Sequence, residues 1–451
     1  MTPLGEPNQE VTQSGIFDRE IVNLASALRA DVARALADSD APARADATGA
    51  SVRVRAQAFA QRALDARAAA RVSAGATPLD RATEDRVQRL ALDMLFGLGV
   101  LQVFIDDPRV ENIDVTGCDQ AFVTYASGTK QMVGAVASSD DELIAMVRSA
   151  GVRFGLSERR FDAAQPELDL RLPDGSRLSA VMAVTKRPVV DIRRHRLADH
   201  DLGDLVELGT LDEDLAGFLS AAVRAKRNIL ISGAMNAGKT TLLRALAAEI
   251  PTEERIVTIE QALELGLDQQ RERHPDCVAM EARLANTEGE GAIGMAQLVR
   301  RSLRMNASRV IVGEVLGDEV IPMLNAMSQG RAGSMGTIHA DSSAGVFRRI
   351  ASYAVQAPER LPLEATNLLI AGAVHYVVHV DSTRTDSGVA RRVASVREVV
   401  DAEGPLVISN EIWRPGPQGD AVPGAPLSDR SAKVLAQSGY ATGARRGGVW
   451  G

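Results

Sequence analysis

One stretch, Gly233-Ala234-Met235-Asn236-Ala237-Gly238-Lys239-Thr240, constrains this chain more than any other. It fits the pattern G-x-x-x-x-G-K-[ST] without a gap. Residues 228–232 before it, Asn-Ile-Leu-Ile-Ser, read as a short buried strand. Thr241 to Ile250 after it read as a helix, with Leu242, Leu243, Leu246 and Ile250 at helical spacing. A loop between strand and helix converges successive backbone N–H groups on one point, which suits phosphate oxygens, and its glycines permit close approach. Residues 233–241 are therefore the candidate nucleotide-binding segment. In it Lys239 faces the β- and γ-phosphates, and the Thr240 hydroxyl is a ligand for Mg²⁺. The choice of cation supports this. Only five lysines (Lys130, Lys186, Lys226, Lys239, Lys433) stand among 51 basic residues, yet the loop uses one of them. A compact ammonium suits a phosphate cradle where a planar guanidinium does not.

At 451 residues the chain has room for roughly two to four domains. A formal net charge of −8 argues against a general nucleic-acid binder, and an aromatic content of 3% leaves little material for base stacking. Cys118 and Cys277 lie too far apart for a metal spacing or a disulfide framework, which fits a reducing cytoplasm. Met1 to Glu10 lacks a signal-peptide pattern, and the most apolar window, Met94 to Ile105, is too short to span a bilayer. The expectation is a cytoplasmic protein whose membrane contact runs through partners.

Residues up to about Thr12 read as disordered. Phe17, Ile21, Leu24, Leu28, Val32 and Leu36 predict an amphipathic helix. A linker over Asp38 to Ala50 and helices over Val52–Val72 and Thr83–Phe96 follow. Strands are predicted at residues 112–115 and 121–124, a helix over Asp140–Gly151, a hairpin over Glu167–Ala183 turning at residues 173–176, and a strand over Val189–Ile192 that leads into Arg193-Arg194-His195-Arg196. From about Leu205, helices alternate with apolar strands, as in a parallel sheet. After Pro415 the composition turns to Pro, Gly and Ser. The expected division is a helical, partly disordered extension (1–80), an α+β domain (81–204), an α/β domain with the phosphate loop (205–415) and a disordered tail (416–451).

Hydrolysis of a phosphoanhydride needs a carboxylate to orient water and support the metal. Two apolar strands end in one: residues 255–259 at Glu260, and residues 309–313 at Glu314. Ligands bind at that edge of α/β sheets. His339 follows another strand-like segment. His375 and His379 have the spacing of a helical metal pair, but their segment is β-branched and reads as a strand, with no acidic residue at helical spacing.

Several of these segments, taken in order, carry a resemblance. They are residues 95–99 (LFGLG), 110–115 (VENIDV), 171–177 (RLPDGSR), Ile192-Arg193, the phosphate loop, 258–260 (TIE), 298–305, 312–315 (VGEV) and 337–340 (TIHA). Over about Pro78 to Trp413 the chain resembles the secretion ATPases of the type II/type IV superfamily, most of all the tight-adherence (Flp) pilus assembly branch and its conjugation relatives. A small-molecule kinase shares the loop but not the N-terminal motifs.

The resemblance implies a RecA-like P-loop NTPase motor domain, preceded by an α+β N-terminal domain and a helical N-terminal extension. It implies a homo-hexamer, with nucleotide between the two domains, acting on polytopic inner-membrane platform proteins, with ATP and Mg²⁺ as cofactors and no direct nucleic-acid partner. In it Glu260 matches the acidic box, Glu314 the atypical Walker B glutamate and His339 the histidine box. Glu314 joins Thr240 at the metal, partly through water. Arg171, Arg177 and Arg193 match arginines that reach the nucleotide from the N-terminal domain. The chain departs from the family pattern at Gln261, where Asp is usual, at Leu316, where Arg is usual, and at Gly330-Arg331-Ala332-Gly333, where Gly-His-Asp-Gly is usual. The expectation is ATP binding with slow hydrolysis by a coupled, rearranged cleft, and the alternative is a nucleotide-binding structural or regulatory subunit.

Overall fold

The computed structural model describes residues 19–39, 49–155, 160–194, 200–283, 285, 289–330, 332–385 and 388–440. The chain divides into two compact units, Met1–Arg196 and Leu197–Gly451.

In the first unit, α1 (Arg19–Asp38), α2 (Gly49–Ser73) and α3 (Arg81–Phe96) pack as a helical cluster. Ile21, Ala25, Leu28 and Val32 of α1 meet Ala56, Ala60 and Leu64 of α2 and Val87 and Ala91 of α3. The three- and four-residue spacings give each helix one apolar stripe. Asp80 opens α3 by accepting the Thr83 amide. After α3 the chain bends sharply into a short α4 (Gln102–Asp106). No single described helix is long and apolar enough to cross a membrane. The one bent pair that is apolar enough together, α3 with the turn and α4, is broken by 111°.

Strands β1 (Val110–Thr116), β2 (Gln120–Tyr125) and β3 (Lys130–Gly134) then form a meander, followed by α5 (Asp140–Phe154) and by β4 (Glu167–Arg171), β5 (Arg177–Val181) and β6 (Val189–Arg193). The six strands make one antiparallel sheet in the order β3-β2-β1-β6-β5-β4. Its alternating inward residues, among them Ile113, Val115, Leu168, Leu170, Leu178 and Ile192, pack on Leu143 and Val147 of α5.

The second unit begins with α6 (Leu202–Glu207) and α7 (Glu213–Arg224), both capped by aspartates. Then come β7 (Ile229–Gly233), α8 (Lys239–Ala247), β8 (Ile256–Glu260), β9 (Cys277–Glu281), α9 (Met295–Ser302), β10 (Arg309–Val315), α10 (Val320–Ser328), β11 (Met335–His339), α11 (Gly345–Gln356) and α12 (Leu363–Ala373). The unit closes with β12 (Tyr376–Thr385), β13 (Gly388–Glu403), β14 (Leu406–Pro415), β15 (Ala421–Pro423) and α13 (Asp429–Gln437). Nine strands form one sheet in the order β15-β14-β13-β12-β7-β11-β10-β8-β9. β12 to β9 in that order are parallel, and β13, β14 and β15 add an antiparallel meander at one edge. This is the RecA-like arrangement: β11 and β10 lie between the phosphate-loop strand β7 and the next strand in the chain, β8. Separate apolar layers cover the two faces of the sheet, one built on α6, α7 and α8 and the other on α9 to α12.

The structure departs from the sequence reading at three places. The division falls between 196 and 197, because Leu202 and Leu205 of α6 pack in the core of the second unit; a boundary at 204 would cut that helix. The alternating pattern from Leu205 did not announce the β13–β15 meander. Residues 416–440, expected to be a disordered tail, carry β15 and α13. Leu435 and Tyr440 enter the core that holds Ile229 and Ile231 of β7. Tyr440 meets the Phe218 ring edge-on at 5.6 Å and donates to Asp214 at 3.0 Å. Glu398 accepts bonds from both the amide and the hydroxyl of Ser428 at the start of α13. The Pro and Gly residues there make turns between packed pieces. Residues 441–451, like the expected N-terminal disorder and most of the 38–50 linker, lie outside the described residues. Because Leu435 is fully buried, Leu435→Ala is expected to cost about 2–4 kcal/mol, read as a lowered midpoint in chemical denaturation of the full chain.

Candidate functional site

The loop after β7 opens α8 with Gly238 as its N-cap, at φ 99°, a conformation that side chains resist. Asn236, also left-handed at φ 61°, is a residue type that tolerates it. Ala234, Met235 and Asn236 are exposed, whereas Ala237 is buried and anchors the loop. The first N–H groups of α8 have no side-chain cap. Together with the helix dipole they make an anion-binding end.

The Lys239 ammonium donates to the carbonyls of Gly233 (3.2 Å) and Ala234 (2.9 Å) and to Nδ1 of His339 (3.1 Å). Since Nδ1 accepts, Nε2 carries the imidazole proton and donates to Glu314 Oε1 at 2.7 Å. Glu314 Oε1 also lies 4.0 Å from the ammonium. Burial lowers the Lys239 pKa, opposed by Glu314. Strand order explains the meeting. His339 stands opposite Gly233 in the β11–β7 register, and β10, which carries Glu314, is the next strand along. The structure thus brings together Lys239, His339 and Glu314, the first two of them 100 residues apart in sequence.

Glu260 stands one strand further on, with its side chain against Gly313, the residue before Glu314. It ends β8, beyond β10, and is only 2% exposed. Its carboxyl accepts the amides of Glu264 (2.7 Å) and Leu265 (2.8 Å) and the Thr258 hydroxyl (3.2 Å), which fastens the loop after β8. It has no hydrogen bond to Lys239, His339 or Glu314 among the described residues. A Cβ on Gly313 would come within 2.9 Å of the Glu260 side chain, so glycine there makes room for it. Burial raises the Glu260 pKa to about 7 despite the three donors.

In the first unit, Arg171 pairs with Arg177 across β4–β5, and Arg177 with Arg193 across β5–β6. The row continues through Asn112 and Thr124 to Lys130. Directly opposed like charges repel; at the far end of the row Lys130 pairs with Asp114 at 2.6 Å.

The three departures do not share one place. Gln261 and Leu316 follow β8 and β10 at the carboxyl edge of the sheet. Ala332 precedes β11, at the opposite edge, where Gly333 and Ser334 donate to Asn228; Arg331 lies outside the described residues. The single cleft expected for all three is therefore corrected: two are at one edge and one at the other. Leu316 is exposed, and Glu319 ties down the amides of Leu316 and Gly317. His375 and His379 are not a metal pair. His375 Nδ1 accepts the Asn228 amide, and burial lowers its pKa to about 4. His379 Nδ1 pairs with the Ser232 hydroxyl at 3.0 Å.

Residues 100–396 match the model of the type II/IV secretion system protein family. The chain belongs to that family. A putative conjugal transfer protein of Mycobacterium tuberculosis is 34% identical over 69% of this chain and 86% of its own length. The type IV secretion system protein VirB11 of Brucella suis is 28% identical over 69% of this chain and 92% of its own. Among solved structures, the Legionella pneumophila ATPase DotB aligns with a TM-score of 0.50 at 18% identity, over 67% of this chain and 80% of that one, a likeness of fold.

The match to the secretion family leaves out α1, α2, α3, β14, β15 and α13. It includes residues that the sequence reading passed over. Glu319 and Arg391 hold loops at the carboxyl edge by hydrogen bonds to backbone atoms, and Asn228 does the same at the opposite edge; only Asn228, next to the loop strand, stands at a position that draws attention. Thr240 and Glu314 offer hard oxygens, and no cluster of three or more His, Cys, Asp or Glu able to hold a metal occurs among the described residues. Hard oxygens are the donor type that Mg²⁺ takes, one or two from protein with phosphates and water for the rest.

A carboxyl with a raised folded pKa stabilises the fold most below its unfolded pKa, near 4.5, and loses that contribution as pH rises through about 7. Glu260→Gln is expected to remove this dependence, so that the wild-type minus variant stability falls by up to about 3 kcal/mol between pH 4.5 and 8. Denaturation at several pH values checks this.

Proposed function

We propose that this chain is an ATP-hydrolysing motor of a pilus-assembly or type IV secretion machine, working as a homo-hexamer at the cytoplasmic face of a polytopic inner-membrane platform. The observation that carries the proposal is the line Lys239–His339–Glu314 beside the phosphate loop. Membership of the secretion family supports the setting.

In this reading the phosphates of ATP lie over residues 233–241, on the N–H groups that open α8. Lys239 turns from loop carbonyls to phosphate oxygens, exchanging neutral acceptors for charged ones. His339, which accepts from Lys239 and donates to Glu314, couples the state of the γ-phosphate to the direction of the Glu314 carboxylate. Glu314 orients the attacking water. Thr240 and Glu314 would hold Mg²⁺, which when bound neutralises charge on the β- and γ-phosphates. Arg171, Arg177 and Arg193 are the second source of cations, acting where charge develops in the transition state. Glu260, bonded to its own loop, acts as support for that edge of the site. Opening and closing with ATP binding and release would drive the platform.

The second reading, a slowly hydrolysing structural or regulatory subunit, draws on Leu316: it supplies no charge at the carboxyl edge, where the superfamily usually has Arg.

Lys239→Ala is expected to weaken ATP binding roughly a hundredfold or more and to prevent the six-subunit ring that the wild type forms with a non-hydrolysable ATP analogue. Calorimetry and light scattering read both. Unchanged affinity removes the phosphate-loop assignment, and a strict monomer in every nucleotide condition removes the ring.

Wild-type turnover should be slow, since one missing stabilising group costs about 10²–10³ in rate. Because Gln261 and Leu316 share an edge, Gln261→Asp with Leu316→Arg should restore more than the product of the single effects. Ala332→Asp should act independently of both. Steady-state hydrolysis by the singles and pairs decides; vigorous wild-type turnover would show the usual groups to be dispensable.

A further inference from the structure

β12 pairs with β7 up to Val380 opposite Gly233, and then runs on as far as Thr385. β13 returns beside it, with Arg391 opposite Ser382. Arg391 is therefore level with the phosphate loop, on the side away from β11 and β10. Its Nε donates to the Asn236 carbonyl at 3.0 Å. Its stem covers Gly238: a Cβ built there would lie 3.2 Å from the Arg391 Cδ. One side chain thus touches the loop at the left-handed Asn236 and again at the N-cap of α8. The Arg391 side chain is exposed, and a guanidinium has five N–H donors, of which the Nε–H is the one spent on Asn236.

We propose that Arg391 is a second cation of the phosphate site, fixing the loop through Asn236 while presenting its terminal N–H groups to the bound phosphates. This rests on the phosphate-loop reading above. It divides the work about β7: Lys239, His339 and Glu314 act from the β11 side and Arg391 from the β12–β13 hairpin. Guanidinium geometry suits the double task, because Nε and the terminal nitrogens point along different edges of one plane, so that the Nε–H can hold the carbonyl while four terminal N–H groups are left for phosphate oxygens.

The test uses the full-length wild type, Arg391→Ala, Arg391→Lys and Lys239→Ala, with ATP and inorganic tripolyphosphate as ligands and melting without ligand as control. Arg391→Ala is expected to melt like wild type and to bind both ligands about tenfold more weakly. Arg391→Lys should recover part of the loss on both. Equal loss on ATP and tripolyphosphate is the signature of an effect at the phosphates, which a contact to the adenine or ribose would not give. If Arg391→Ala fails to fold, Arg391→Lys decides: weaker binding of both ligands upholds the assignment, and wild-type affinity overturns it. Affinities within twofold of wild type in Arg391→Ala, or a loss confined to ATP, also overturn it. Binding lost in Lys239→Ala but kept in Arg391→Ala overturns this assignment alone; a wild type that binds neither ligand overturns the phosphate-loop reading with it.

Discussion

Asn228 is the residue on which the central sheet is hung. It is 1% exposed, and every hydrogen-bonding atom of its amide is used. Nδ2 donates to the carbonyls of Met327 and Ala373, and Oδ1 accepts the amides of Gly333 and Ser334. Its backbone amide donates to His375, and its carbonyl accepts the amides of His375 and Tyr376. One side chain therefore joins the end of α10, the entry to β11 and the end of α12, and its backbone joins the entry to β12. A shift of any one strand would strand a buried donor or acceptor at a cost of about 1–3 kcal/mol each. Arg309 extends the same edge to β10, with Glu254 held bidentately and the Val223 carbonyl as a further partner. Register fixed at this edge is read out at the other, five residues along each strand, where His339 falls opposite Gly233.

The phosphate loop and its flanking elements were legible because they are local: the pattern, the strand and the helix lie within one window of sequence. Glu314 and His339 were nameable as strand ends, and the resemblance supplied their roles; their meeting with Lys239 depends on strand order. Glu260 shows where that reasoning stops. It too ends an apolar strand, but β8 lies beyond two interposed strands, and the carboxyl bonds to its own loop. Nothing in the residues Ile-Val-Thr-Ile-Glu distinguishes the two situations.

The misread tail has a different cause. Its composition is that of a linker, yet Leu435 of α13 and, past its end, Tyr440 enter the core, where Tyr440 meets Phe218. Two anchors are invisible to a compositional average. Ala332 was misplaced for a related reason: it stands seven residues before His339 in sequence, and a β-strand turns that short separation into the full width of the sheet. Arg391 escaped notice because nothing in an exposed β-strand arginine points to a loop 155 residues away.

The separation in sequence between the loop and its partners has a consequence for the order in which the molecule comes into being. The phosphate loop leaves the ribosome before β8, β10, β11 and β12 exist. β7 occupies an interior place in the sheet, with neighbours supplied only by later segments, so it stays unpaired until they arrive, and contacts of such long range form late. A chain caught part-way through synthesis carries the loop but neither His339 nor Glu314. The meeting of Lys239, His339 and Glu314 therefore waits for β10 and β11 to take their places beside β7, and a half-made subunit lacks it.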